Sequence, residues 1–208
     1  MRPLSSTIRG LVPPLVLAFV LALVASLSAR AASRIDHEAS CTYKTLSWSD
    51  FRGPEIRGQG QAWINATVVV EPVAVKVEQE GESFIARPRK PVVYALMNKL
   101  DSGAQRGARN DTTLAHEQLH FDITEVHARR LVRELGVIEV SGSGASPALR
   151  GQLLEAVAKI YDRTIQDLFR MQRQYDGETT HGTRRGKQKK WSARVAELLA
   201  GEQPYELR

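Results

Sequence analysis

An α+β chain, with an antiparallel sheet followed by helices, is what the order of periodicities along this sequence predicts. From about 41 to 98 the apolar residues alternate or run in short β-branched stretches, whereas from about 111 onward they recur at helical spacing. Between the two lies "KLDSGAQRGARND" (99–111), a polar segment whose glycines interrupt both periods.

Four strands are expected: "QAWINATVVV" (61–70), "VAVKVEQ" (73–79), "SFIA" (83–86) and "PVVYALM" (91–97). Pro72 and Pro91 belong at strand starts or edges, because proline cannot donate to a ladder. The first helix begins at an N-cap, Asn110 or Asp111. It presents Leu114, Leu119, Ile123, Val126, Leu131 and Leu135 on one side and stops at Gly136. A second helix is expected from Pro147 to Gln174, after the linker "SGSGASP", and a shorter third from about 188 to 200.

Residues 1–31 read as an export signal and not as part of the fold. Arg2 and Arg9 precede the apolar run 11–29, and Ala29-Arg30-Ala31 has the small-x-small form of a cleavage site. An uncleaved membrane anchor through 11–29 is the alternative. The expected location is therefore periplasmic or secreted, with one folded domain over 41–200. The signal carries Arg2, Arg9 and Arg30 and no acidic residue, so removing it lowers the formal charge from +6 to +3. "RRGKQKK" (184–190) concentrates basic residues with no aromatics interleaved, so a nucleic-acid partner is not expected. The single cysteine, Cys41, excludes an intrachain disulfide.

The chemistry is concentrated in "TLAHEQLHFDI" (113–123). His116 and His120 are one turn apart, with about 6 Å of rise, so both imidazoles project from one face. A tetrahedral Zn2+ accepts such a pair, and Glu117, about 100° around the helix, can reach a water beside the metal as general base. A catalytic zinc needs a third protein ligand. His127 lies about 10 Å beyond His120 along an unbroken helix and cannot supply it, and Glu125 is spaced to pair with Arg129. The remaining candidates lie downstream. His181 in "YDGETTHG" (175–182), a segment with turn-forming composition, is the first choice, with Asp176 second and Glu155 on the second helix third. Tyr175 is a candidate donor to the oxyanion of an acyl-transfer intermediate.

"LSWSDFRG" (46–53), "HEQLHFDI" (116–123) and "YDGETTHG" with the later Gln188 and Trp191 resemble, in that order, the motifs of the bacterial family called domain of unknown function 922. Members of that family are regarded as predicted secreted zinc-dependent proteases of the zincin type. The resemblance implies a zincin-like domain, with an antiparallel sheet beside the metal helix. His116, Glu117 and His120 match the zincin motif, and Tyr175, Asp176, Thr179 and His181 match the downstream one. The expected function is a zinc peptidase acting on a peptide or protein substrate. The alternative is a non-catalytic zinc-binding or partner-binding envelope protein on the same scaffold.

Overall fold

The computed structural model describes residues 36–55, 61–145 and 147–202, and the export-signal and anchor expectations lie outside them. The fold is α+β. Strands β1 (Ser40–Thr42), β2 (Ala62–Val70), β3 (Val75–Glu80), β4 (Ser83–Pro88) and β5 (Val93–Ala104) precede helix α1 (Asp111–Val137). Strand β6 (Val140–Gly142) and helices α2 (Pro147–Thr179) and α3 (Arg185–Gly201) follow it.

The single expected sheet is two antiparallel three-stranded sheets, ordered β1-β5-β2 and β3-β4-β6. The cause is the β3–β4 hairpin. It leaves the main sheet between β2 and β5, with its stem closed by Glu71 N–H donating to Val92 O (3.0 Å) and its turn made at Gly81, φ 63°. Beyond the stem β4 takes β6 as its second neighbour, with Ile85 opposite Ser141. The sequence expectation missed β1 and β6, both three residues long. Segments that short carry almost no periodicity.

Strand β5 also runs past its expected end at Met97. Trp63 pairs with Gly103 and Asn65 with Asn98, so residues 99–102 bulge from the β2 ladder. The bulge bonds elsewhere: Lys99 N–H donates to Ala39 O, Lys99 O accepts from Arg52 N–H, and Ser102 O accepts from Gly53 N–H. A Cβ at Gly53 would lie 2.7 Å from Leu100 O, which is why the close approach requires glycine there.

Helix α1 is capped by Asn110, whose side chain accepts from Thr113 N–H at 3.0 Å. It runs unbroken to Val137, with no proline and only Gly136 near its end. Its buried face, including Leu119, Ile123, Val126, Leu131 and Leu135, packs in one core with Val68, Val93, Ala95 and Met97 of the main sheet. Leu168 and Tyr175 of α2 and Trp191 and Val195 of α3 complete that core. At the other end of α2, Leu149 and Leu153 form a second, small cluster with Ala86 of the hairpin sheet. Among the described residues no helix is long and apolar enough to cross a membrane.

Leu153 is fully buried and links α2 to the hairpin sheet. Leu153→Ala is expected to cost about 2–5 kcal/mol in urea unfolding, from lost transfer energy plus the cavity left behind.

Candidate metal centre

The unbroken helix α1 presents His116, Glu117 and His120 side by side, all buried, with the two imidazole rings edge to face at 4.7 Å between centroids. The last turn of α2 brings Asp176 against them. Its Oδ1 lies 3.2 Å from His116 Nε2 and 3.0 Å from His120 Nε2, and the two Nε2 atoms are 3.2 Å apart. Three acceptor-capable atoms thus form a nearly equilateral triangle.

That arrangement depends on α2 continuing to Thr179, five residues past its expected end at Gln174. Tyr175 and Asp176 are therefore helical and not part of a turn. The helix ends in a left-handed cap: Thr180 (φ 51°) and His181 (φ 49°) precede Gly182 (φ 79°), and His181 N–H donates to Asp176 O at 3.1 Å. A β-branched threonine in this region is strained by about 1–3 kcal/mol, and such strain clusters at functional sites. Thr179 Oγ1, itself donating to Tyr175 O, holds the turn by accepting from Gly182 N–H at 3.2 Å. The turn delivers His181 Nδ1 to 3.4 Å from Asp176 Oδ1, although the His181 side chain is 72% exposed.

Behind the triangle the histidines are packed and hydrogen-bonded. The Tyr175 ring stacks on His116 (4.7 Å, 26°) and meets His120 edge-on. His120 Nδ1 is hydrogen-bonded to Gln172 Oε1, and His116 Nδ1 lies 3.3 Å from Gln188 Oε1 on α3. Glu178 accepts from Trp191 Nε1 at 3.0 Å, which ties α3 to the end of α2.

In front of it lies a cleft of about 270 Å³, walled on one side by Gln61 and by Ala62, Trp63 and Ile64 at the start of β2. His116, Glu117, His120, Asp176 and His181 form the other wall, with Thr113 between. Burial pushes the Glu117 carboxyl above its ordinary range, only partly opposed by His120 and His116. Burial acts on Asp176 in the same sense, but hydrogen bonds from His116 and His120 outweigh it and hold its carboxyl well below the usual range. His120 is raised: burial would lower it, but the hydrogen bond to Asp176 and the Glu117 charge prevail.

Of the three candidates for a third ligand, the structure brings two to the triangle, Asp176 and His181. Glu155 is not there. It sits on α2 about 30 Å of helix before Asp176, exposed and paired with Lys159 at 2.7 Å. Tyr175 is corrected as an oxyanion donor: it is fully buried behind the histidines, and its hydroxyl lies 2.8 Å from Gln188 Oε1 and 3.2 Å from His116 O, away from the cleft. His127 is buried elsewhere, its Nδ1 2.9 Å from Ile123 O, and Glu125 pairs with Arg129 at 2.8 Å. The "LSWSDFRG" segment braces the far side of α1, where Leu46 N–H donates to Gln118 Oε1 at 2.7 Å. The cleft residues Gln61, Trp63, Ile64 and Thr113, and Gln172, were not anticipated. Only Gln172 had a signal, its i, i+4 spacing to Asp176, and that becomes readable only once α2 is carried past 174.

His116, Asp176 and His181 offer donors all within 4.8 Å of one another, a group that could hold a metal ion, with His120 bonded to the same Asp176 oxygen. Fold and site together define an α+β protein with a histidine and aspartate cluster at the meeting of two helices. Residues 107–182, which carry every member of that cluster, match the family described as bacterial protein of unknown function (DUF922). No curated protein and no solved structure matches the chain.

Two glycines of the matched segment should respond oppositely to alanine. A Cβ at Gly182 would lie 3.0 Å from His116 Cγ and Nδ1, at a φ of 79°. Gly182→Ala is expected to lose about 1–3 kcal/mol in denaturant unfolding. A Cβ at Gly177 meets nothing within 4 Å among the described residues, so Gly177→Ala is expected to gain about 0.5–1 kcal/mol.

Proposed function

We propose that this chain is a zinc-dependent peptidase of the zincin type, holding Zn2+ through His116, His120 and Asp176 with Glu117 as general base. The observation that carries the proposal is the triangle of His116 Nε2, His120 Nε2 and Asp176 Oδ1, with edges of 3.0–3.2 Å. With each ring neutral and its proton on Nδ1, all three atoms turn lone pairs on one another, an arrangement that a single cation satisfies at once. Bonds of about 2.0–2.1 Å in a tetrahedral zinc site imply ligand separations of about 3.3 Å, close to these edges. The mixed imidazole and carboxylate set suits zinc better than a hard, all-oxygen ion.

Zinc held there supplies Lewis acidity toward a carbonyl oxygen and toward water. Glu117, buried beside both histidines and open to the cleft, takes the proton of the attacking water and passes it to the leaving amine. An extended peptide would add to the edge of β2 that carries no partner strand among the described residues, beside Gln61, Ala62, Trp63 and Ile64, where backbone pairing gives affinity with little sequence selectivity. Further along that strand Tyr161 hydroxyl donates to Val68 O at 3.1 Å, so α2 limits the open stretch to the end beside the cluster. The apolar run at 11–29 supports action in the periplasm or outside the cell.

A second reading is favoured by His181. If it joined the other three donors permanently, four protein ligands would close the metal, and the chain would be a zinc-binding envelope protein without hydrolysis. Its 72% exposure weighs against that role. Glu117→Gln separates the two. The variant is expected to keep one zinc per chain by metal analysis and to lose about 10²–10⁴-fold in casein or peptide hydrolysis. Parental hydrolysis in the variant, or none in the zinc-loaded parent, would sink the peptidase.

A further inference from the structure

We propose that Gln172 and Gln188 are positioning residues that fix the proton of His120 and His116 on Nδ1, so that both Nε2 lone pairs are presented to the metal, a role that rests on the metal-holding function proposed above. The orientation of Gln172 is set independently of any metal. Its Nε2 donates to His120 O at 2.9 Å and to Thr124 Oγ1 at 3.3 Å, so the end facing His120 Nδ1 is the carbonyl oxygen. An amide oxygen has no proton to give, so the proton in that bond belongs to Nδ1. The hydroxyl of Thr124 in turn donates to His120 O at 3.0 Å, which leaves its oxygen free to accept from Gln172.

Gln188 reaches the same result from α3. Its Oε1 lies 3.3 Å from His116 Nδ1 and 2.8 Å from the Tyr175 hydroxyl, and both contacts are satisfied when ring and phenol are the donors. Its Nε2 is buried with no hydrogen-bond partner among the described residues. A buried amide donor left unpaired costs stability, and turning the amide over would aim that donor at the phenol and the ring. The turned amide would require a lone pair on His116 Nδ1, and a neutral ring would then carry its proton on Nε2, the atom aimed at Asp176. The orientation with the orphaned donor is the one that leaves Nε2 free for a metal. Partners of this kind on the far nitrogen of a ligating histidine set its tautomer and raise its basicity.

The orphaned donor supplies a clean test, because Gln188→Glu replaces an unpaired nitrogen by an oxygen and keeps the acceptor, whereas Gln188→Leu keeps the bulk and removes it. Zinc affinity is measured by chelator competition on the full chain for the parent, Gln188→Leu, Gln188→Glu and Gln172→Leu. Imidazole N–H resonances of each zinc-loaded protein are recorded alongside. Gln188→Leu and Gln172→Leu are expected to bind zinc about 10–100-fold more weakly, each losing one slowly exchanging Nδ1–H signal, while Gln188→Glu binds at least as tightly as the parent. Parental affinity in both leucine variants, or Gln188→Glu no better than Gln188→Leu, would show that the glutamines only fill space. A parent that binds no zinc would overturn the metal site and the positioning role together.

Discussion

One carboxylate oxygen, Asp176 Oδ1, faces two imidazoles from the neighbouring helix at 3.0 and 3.2 Å, and the geometry of the functional end of the molecule follows from that contact. Helix α1 is anchored in the sheet by its buried leucines and isoleucine, so the histidines are fixed first, and α2 must then cross α1 where Asp176 can reach both. Tyr175, one residue earlier, stacks on His116 and sets the depth of that crossing. Helix α3 follows because Trp191 and Gln188 complete the packing and hydrogen bonding behind the rings. The contact has an electrostatic cost. A carboxylate in the last turn of a helix sits at the negative end of its dipole, and a partly buried charge needs compensation. A divalent cation in the triangle would reverse the sign of both effects.

The same contact explains why the end of α2 is built under strain. Between Asp176 and Gly182 the chain must stop the helix, clear the His116 ring and bring a second side chain back to the cleft. Thr180 and His181 adopt left-handed backbone to do so, and Gly182 passes His116 where a Cβ would be crowded at 3.0 Å and the φ of 79° favours glycine. Thr179, fully buried, bonds across the turn and holds it. The segment 175–182 thus combines the stacking of Tyr175, the contact of Asp176 with both histidines, the helix cap and the close approach of Gly182.

Much of this was legible in the residues and some of it was not. The histidine pair and Glu117 could be read directly, because helical spacing alone puts them on one face and the helix has no breaker before Gly136. The four longer strands announced themselves by alternation. His181 ranks above Asp176 in the residues alone because an imidazole is a good zinc ligand, and "YDGETTHG" reads as a turn, whereas burial of Tyr175 and Thr179 carries the helix through it. Tertiary burial overrode local propensity there. Tyr175 was misplaced for the same reason: a helical position turns its hydroxyl toward Gln188 and away from the cleft. The division into two sheets was not legible, since the partner of β4 is a three-residue strand after α1.

The open, three-ligand metal site is the claim on which the functional account depends, and X-ray absorption at the zinc edge of the zinc-loaded protein tests it most directly. The account predicts two imidazoles and two oxygen donors, from Asp176 and a water, at about 2.0–2.1 Å, with the same spectrum in His181→Ala. Three imidazoles in the parent falling to two in His181→Ala would contradict it and make the site a closed one.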